Sequence, residues 1–151
     1  IRSSFAGGKV AAPFSISSGV RSNVTYESSQ LVKDILSNYS STYTPQDLET
    51  TKSLMFKRNA RAFETAGAKL KMLENISEFG WNPDYMKDRE KIVNEMTVER
   101  IQELAGNYLD PNKMIWLIVG DAKTQLAGLE KLGFGKPILI NEKKISMEVD
   151  K

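Results

Sequence analysis

A chain of 151 residues, 40% hydrophobic and 26% charged, has the length of one domain and the composition of a globular protein, neither disordered nor fibrous. Its 21 basic and 19 acidic residues leave a net charge of +2, too balanced to gather nucleic acid by field alone; with no His and no Cys it lacks disulfides, thiolate and imidazole metal ligands, and the commonest general base. The longest apolar run, residues 114–120, is far shorter than the roughly 20 residues a membrane span requires, so no span is expected.

The chain opens on Ile1, without Met or an apolar leader and inside a strand-like run, which suggests a piece of a longer polypeptide. Residues 1–6 and 10–21 are β-type runs joined by Gly7-Gly8-Lys9, a hairpin signal. In the second run Phe14, Ile16, Ser18 and Val20 share one face and Ser15, Ser17, Gly19 and Arg21 the other. The second face is small and polar, so another backbone could approach and pair along it; an ordinary edge strand with solvated serines has the same pattern.

Asn23 or Thr25 can cap a helix whose apolar positions Leu31, Val32, Ile35, Leu36 and Tyr39 form one stripe, expected to be buried and to end at the Ser/Thr-rich segment 37–43. Thr44-Pro45-Gln46-Asp47 is the strongest helix start: Thr44 caps, Pro45 is preorganised, and Asp47 favours the positive helix end. The helical pattern runs through Leu48, Met55, Ala62 and Phe63 to about Phe79, with Gly67 able to bend or split it. Gly80 reads as a stop, and Asn82-Pro83-Asp84 starts a helix holding Tyr85, Met86, Ile92 and Val93. Thr97 opens another, with Val98, Ile101, Leu104, Ala105 and Tyr108 facing inward, and Asp110-Pro111 closes it.

Residues 114–119 read as a strand covered on both faces, or at least central in its sheet, residues 124–132 as a short helix capped at Asp121 or Thr124, and residues 137–140 as a terminal strand. Residues 141–151 form a charged tail expected to fray, which leaves 1–140 as the folded part. Hairpin, helices, then strand, helix and strand imply an α+β fold, an antiparallel or mixed sheet packed against several helices.

No cluster in the sequence proposes chemistry. Asp47 with Glu49, Asp84 with Asp88 and Glu90 with Glu95 lie among Lys and Arg on helices and read as solvated faces. Ser nucleophiles lack a base and a nucleophile-elbow pattern, and Val119-Gly120-Asp121-Ala122-Lys123-Thr124 lacks the spacing of a phosphate loop. Met72, Met86, Met96, Trp81 and Trp116 read as packing residues. No catalytic, cofactor-binding or metal-ligating residue is assigned, and no residue is singled out for substrate.

Several short signatures in order nevertheless carry a resemblance. These are Phe14-Ser15-Ile16, Val20-Arg21-Ser22, Thr44-Pro45-Gln46-Asp47-Leu48, Phe63-Glu64, Gly80 with Pro83-Asp84-Tyr85, Met96-Thr97, Tyr108-Leu109-Asp110-Pro111 and Val119-Gly120-Asp121. Over residues 1–140 the chain resembles the C-terminal part of a half-domain of the pitrilysin or insulinase-like zinc metallopeptidases, the inverzincins. The resemblance implies that family's α+β half-domain fold and a two-half chamber in which peptides are cut. Active members hold zinc with H-x-x-E-H and a distal Glu, and a chain without His cannot supply that site. Zinc and the motif are therefore expected in a companion catalytic half, in the same polypeptide or a separate subunit.

The family's substrate-holding Arg and Tyr precede the hairpin and would lie N-terminal to Ile1; neither Arg2 nor Arg21 takes that place. The resemblance thus implies a non-catalytic segment that forms chamber wall and interface, or the back portion of a catalytic half severed after its motif. The alternative, from a different class, is an inactive scaffold subunit of a larger complex. Peptide substrate, the companion half and a homodimer formed through an open sheet edge are the expected partners. The resemblance is compatible with bacterial periplasm, cytoplasm or an organelle.

Overall fold

The computed structural model describes residues 1–61 and 64–140, and the expected tail at 141–151, like Ala62 and Phe63, lies outside them. The described chain is mainly helical with one small antiparallel sheet, broadly the α+β class expected. It divides into two compact units, one made of residues 1–18 and 38–109, the other of residues 19–37 and 110 onward.

The first unit begins with strands β1 (Arg2–Phe5) and β2 (Phe14–Ser17), paired antiparallel as Arg2 with Ser17, Ser3 with Ile16, Ser4 with Ser15 and Phe5 with Phe14. Opposed residues share a face, so Arg2, Ser4, Ser15 and Ser17 line one side, while Ser3, Phe5, Phe14 and Ile16 line the other. The Phe5 and Phe14 rings sit 4.7 Å apart and fix the apolar side. The face reading from sequence holds for Phe14 to Ser17, but the connection is not a tight Gly-Gly turn. It runs over residues 6–13, closed by the Ala6 amide donating to the Pro13 carbonyl (3.2 Å). Pro13 has no N–H to extend a ladder, which explains why residues 10–13 stay outside the strand.

Helix α1 (Thr25–Thr42) contributes its C-terminal end to this unit. The helix ends at Thr42, within the Ser/Thr-rich segment expected to end it; most of that segment is still helical, because Ser41 and Thr42 turn their hydroxyls back onto the Asn38 carbonyl (2.9 Å each) and so satisfy their polar groups. Ser40 Oγ donates to the Gln102 carbonyl (2.8 Å) and Gln102 Nε2 donates to the Tyr43 carbonyl (3.1 Å), binding this end to helix α5 (Val98–Tyr108).

Helix α2 (Pro45–Arg61) starts where the sequence predicts. The Asp47 carboxylate accepts from the Thr44 hydroxyl (2.6 Å) and amide (2.9 Å), and the Asp47 amide donates to Thr44 Oγ1 (3.2 Å). Those two bonds from Thr44, hydroxyl first, hold the Asp47 carboxyl below the usual Asp value of 3.8. A depressed folded-state pKa contributes stability above the unfolded value that is lost as pH falls through the folded one. Asp47→Ala therefore lowers the thermal midpoint at neutral pH by about 2–4 °C, and the gap to the parent closes on acidification below the ordinary Asp range. A pH series of melting curves checks this; a gap that persists in acid would show that the carboxylate is not its source.

The long helical pattern is split, as Gly67 allowed, but at a new cap: Thr65 Oγ1 accepts from the Ala68 amide (3.1 Å) and opens α3 (Ala66–Phe79). Gly80 ends it at φ 64°, and the Trp81 amide donates to the Ile76 carbonyl (3.1 Å). Helix α4 (Tyr85–Glu95) starts later than the Pro83 position expected, because Asn82 Oδ1 accepts from the Asp84 amide (3.0 Å) and makes a turn first. Thr97 caps α5 through the Arg100 amide (3.2 Å). Val93 and Ala105 are buried, whereas Tyr108, expected to face inward, is exposed at the C-terminal end of α5. Helices α2 and α4 pack together, and Lys52 Nζ donates to the Asn94 carbonyl (2.7 Å).

The second unit holds the start of α1, the 3-10 turn Pro111–Lys113, helix α6 (Ala122–Leu129) and a 3-10 turn Glu130–Leu132. Asp121, one of the two caps foreseen, accepts from the Lys123 amide (3.0 Å). The α1 stripe expected to be buried is not: Leu36 is buried, but Leu31 and Ile35 are exposed. The covered side is centred a quarter-turn away, on Ser29, Lys33 and Leu36, because Lys33 is drawn in to donate to the Leu132 carbonyl and lies 4.8 Å over the Phe134 ring. Phe134 stacks on Trp116 at 4.8 Å, and the indole N–H donates to the Pro111 carbonyl (3.0 Å).

Residues 114–119 and 137–140, expected as strands, pair with no strand among the described residues. The local preference for an extended chain is present, but no strand among the described residues lies beside it to make a sheet.

Candidate functional site

The sequence named no catalytic or ligating residue, and the structure assigns its carboxylates to local tasks. Asp47 serves the α2 cap, Asp84 pairs with Lys87 at 2.7 Å, Asp88 lies 3.4 Å from Asn82 Nδ2, and Glu95 lies 3.9 Å from Lys91. The pKa shifts follow the same bonds. Lys87 is raised by the Asp84 carboxylate, Glu99 lowered by its own amide and then Thr97, and Asp110 lowered by the Asn112 amide, all at exposed helix starts. Tyr39 is raised, first by partial burial and then by the charges of Tyr43 and Asp47. No three of the described acidic residues converge on one point. With no imidazole or thiolate in the chain, these residues do not fit a zinc centre of the inverzincin kind.

Two surfaces remain. The first is the hairpin, whose polar face carries Arg2, Ser4, Ser15 and Ser17, with both outer edges unpaired among the described residues. Beside it lies an open cleft of about 750 Å³ between Gly7, Gly8 and Lys9 on one side and Glu78, Phe79, Gly80 and Trp81 on the other. Its aromatic wall is a stack: Phe79 and Trp81 lie 5.4 Å apart, and Trp81 and Tyr85 4.0 Å apart. The left-handed turn at Gly80 swings Trp81 back onto the helix that precedes it, so a residue read from sequence as packing in a loop becomes cleft lining. No spacing in the sequence signals this, because α3, the turn and the hairpin loop are brought together only by folding.

The second surface, in the second unit, is the extended segment 114–119. Ile115, Leu117 and Val119 are 97%, 74% and 92% exposed, against half-buried Met114, Trp116 and Ile118. So much aliphatic surface on one extended segment marks an interaction face. No described helix is long and apolar enough to cross a membrane. The chain matches no family model, no curated protein and no solved structure.

Proposed function

We propose that this chain is a non-catalytic segment of a zinc-dependent metallopeptidase of the insulinase or pitrilysin type. In this reading it forms part of the wall of a peptide-binding chamber and of the face that meets a companion half carrying H-x-x-E-H and the zinc. Besides the ordered signatures in the sequence, the observation that carries it is the sidedness of the hairpin. A strand pair with free edges and small side chains on one face can accept an extended peptide as an added strand, taking affinity from main-chain bonds while tolerating varied side chains. The adjoining cleft, with Lys9, Glu78 and an aromatic stack, offers neighbouring side chains a polar and an apolar wall. The finer fold comparison, a half-domain of that peptidase type, belongs to the same proposal. In that fold the exposed apolar segments would be covered by strands outside the described residues.

The experiment is a peptide-library cleavage assay on the native protein together with the candidate catalytic half, with and without a zinc chelator. Chelator-sensitive cleavage is expected. Replacing Ser15 and Ser17 by Trp should raise KM about tenfold or more by closing the polar face, a loss of roughly 1.4 kcal/mol of binding, with kcat less affected. No cleavage in any combination would overturn the peptidase reading. If a stable complex still forms, the second reading, an inactive assembly module, takes its place; the exposed face of residues 114–119 favours it.

A further inference from the structure

We infer that the outer edge of β1 takes an extended, antiparallel peptide in which an apolar residue opposite Phe5 is followed by an Asp or Glu opposite Arg2. The assignment rests on the reading of the hairpin as a peptide-accepting wall, and adds the edge and the class of peptide. Register decides which backbone groups face outward. In an antiparallel pair, positions that exchange main-chain bonds alternate with positions that do not. The Ala6 amide donates to the Pro13 carbonyl (3.2 Å), and this pair continues the register of Phe5 with Phe14. Arg2 with Ser17 and Ser4 with Ser15 are therefore hydrogen-bonded positions, while Ser3 with Ile16 and Phe5 with Phe14 are not. Side chains approach most closely at the second kind, as the Phe5 and Phe14 rings do at 4.7 Å. Ser3 and Phe5 thus turn their amides and carbonyls away from β2, and nothing among the described residues bonds them. Such a row of free groups is what an added strand pairs with.

Charge selects the edge and its occupant. β2 carries no charged residue, whereas β1 carries Arg2, whose guanidinium makes no ion pair or hydrogen bond among the described residues. A strand bonded through Ser3 and Phe5 sets its own residues opposite Arg2 and Ser4 at the closely approaching positions, on the polar face. A carboxylate opposite Arg2 gains the missing ion pair. On the other face, an apolar residue opposite Phe5 covers a ring that is 60% exposed. A second copy of this chain cannot make that match. With Ser3 and Phe5 bonded, antiparallel self-pairing of β1 sets Arg2 against Arg2, Ser4 or Ala6, and no acidic residue precedes Glu27.

The test is fluorescence anisotropy of the full chain with a labelled peptide containing Leu-Ser-Val-Glu, in which Leu stands opposite Phe5 and Glu opposite Arg2. It should bind about threefold or more tighter than the same peptide with Lys in place of Glu. Arg2→Gln should level the two, and Arg2→Glu should reverse their order. N-methylation of the Val, whose amide faces the Ser3 carbonyl, should weaken binding about fivefold or more. N-methylation of the Ser, whose amide faces away from β1, should cost less than about twofold. Equal losses on the two methylations, or a Glu-over-Lys preference indifferent to both Arg2 variants, overturns the proposal. So does a lack of binding at millimolar peptide; a chain that then sediments as a dimer would give the edge to a second copy. The assay uses neither zinc nor a catalytic half, so the two failures are separable. Cleavage without any preference for the acidic residue would overturn this inference alone, and selective binding without cleavage would overturn only the peptidase reading.

Discussion

Leu132→Ala lowers the unfolding free energy of the second unit by about 2–4 kcal/mol, with the loss confined to that unit. Leu132 is 3% exposed, more deeply buried than Leu36, Val93 and Ala105. Its place is set by backbone as well as side chain: the 3-10 turn Glu130–Leu132 tightens the end of α6, and Gly133 at φ 81° reverses the chain. The Leu132 carbonyl holds the Lys33 ammonium, that ammonium lies over Phe134, and Phe134 stacks on Trp116. Truncating Leu132 leaves a cavity where its side chain is buried. The two tryptophans make the effect separable, because Trp81 belongs to one unit and Trp116 to the other. In a Trp81→Phe background, urea unfolding followed by Trp116 emission should shift to lower denaturant. In a Trp116→Phe background, Trp81 should report little change. An unshifted Trp116 transition would contradict the role given to Leu132.

Val93→Asp should cost the first unit about 3–5 kcal/mol, enough to unfold it or to leave only its most local helices. Val93 is buried on α4, the helix that packs on α2 and is tied to it by Lys52 and the Asn94 carbonyl. A carboxylate there loses most of its hydration. Desolvation raises its folded-state pKa above the unfolded value, so the penalty is full at neutral pH and fades as pH falls toward the unfolded Asp value of about 3.9. Relative to the parent at each pH, Val93→Asp should regain helicity near pH 4. Val93→Ala, which keeps the site apolar, should lose less and show no such pH dependence. Equal losses for both variants would mean that the aspartate reaches water.

What could be read from the sequence follows the range of the forces involved. Caps and stops are local: Thr44 with Asp47, Thr65, Thr97, Asp121 and Gly80 each satisfy backbone groups within a few residues, so most helix ends fall near where side-chain chemistry places them. The start of α4 is the informative exception, since Asn82 and Pro83 also suit a turn, and the turn is what forms. Helix faces were less legible. Leu31 and Ile35 have the spacing of a buried stripe, yet the covered side of α1 includes Lys33, whose long stem packs while its ammonium finds a carbonyl. Hydrophobic spacing says which side prefers burial and cannot say whether a neighbour is there to cover it.

The same limit separates the two kinds of result for this protein as a whole. By itself the sequence determined the α+β class, the hairpin with its polar and apolar faces, the helix order and the absence of imidazole and thiolate, because residue identity, period and capping act over one or two turns of chain. Only the tertiary structure decided that the hairpin loop opens into a cleft beside Trp81, that Lys33, Phe134 and Trp116 share one contact chain, and that residues 114–119 extend without a partner. Burial and strand pairing are relations between distant segments, and a pattern along one segment specifies its half of such a relation while leaving the other half to whatever the fold brings against it.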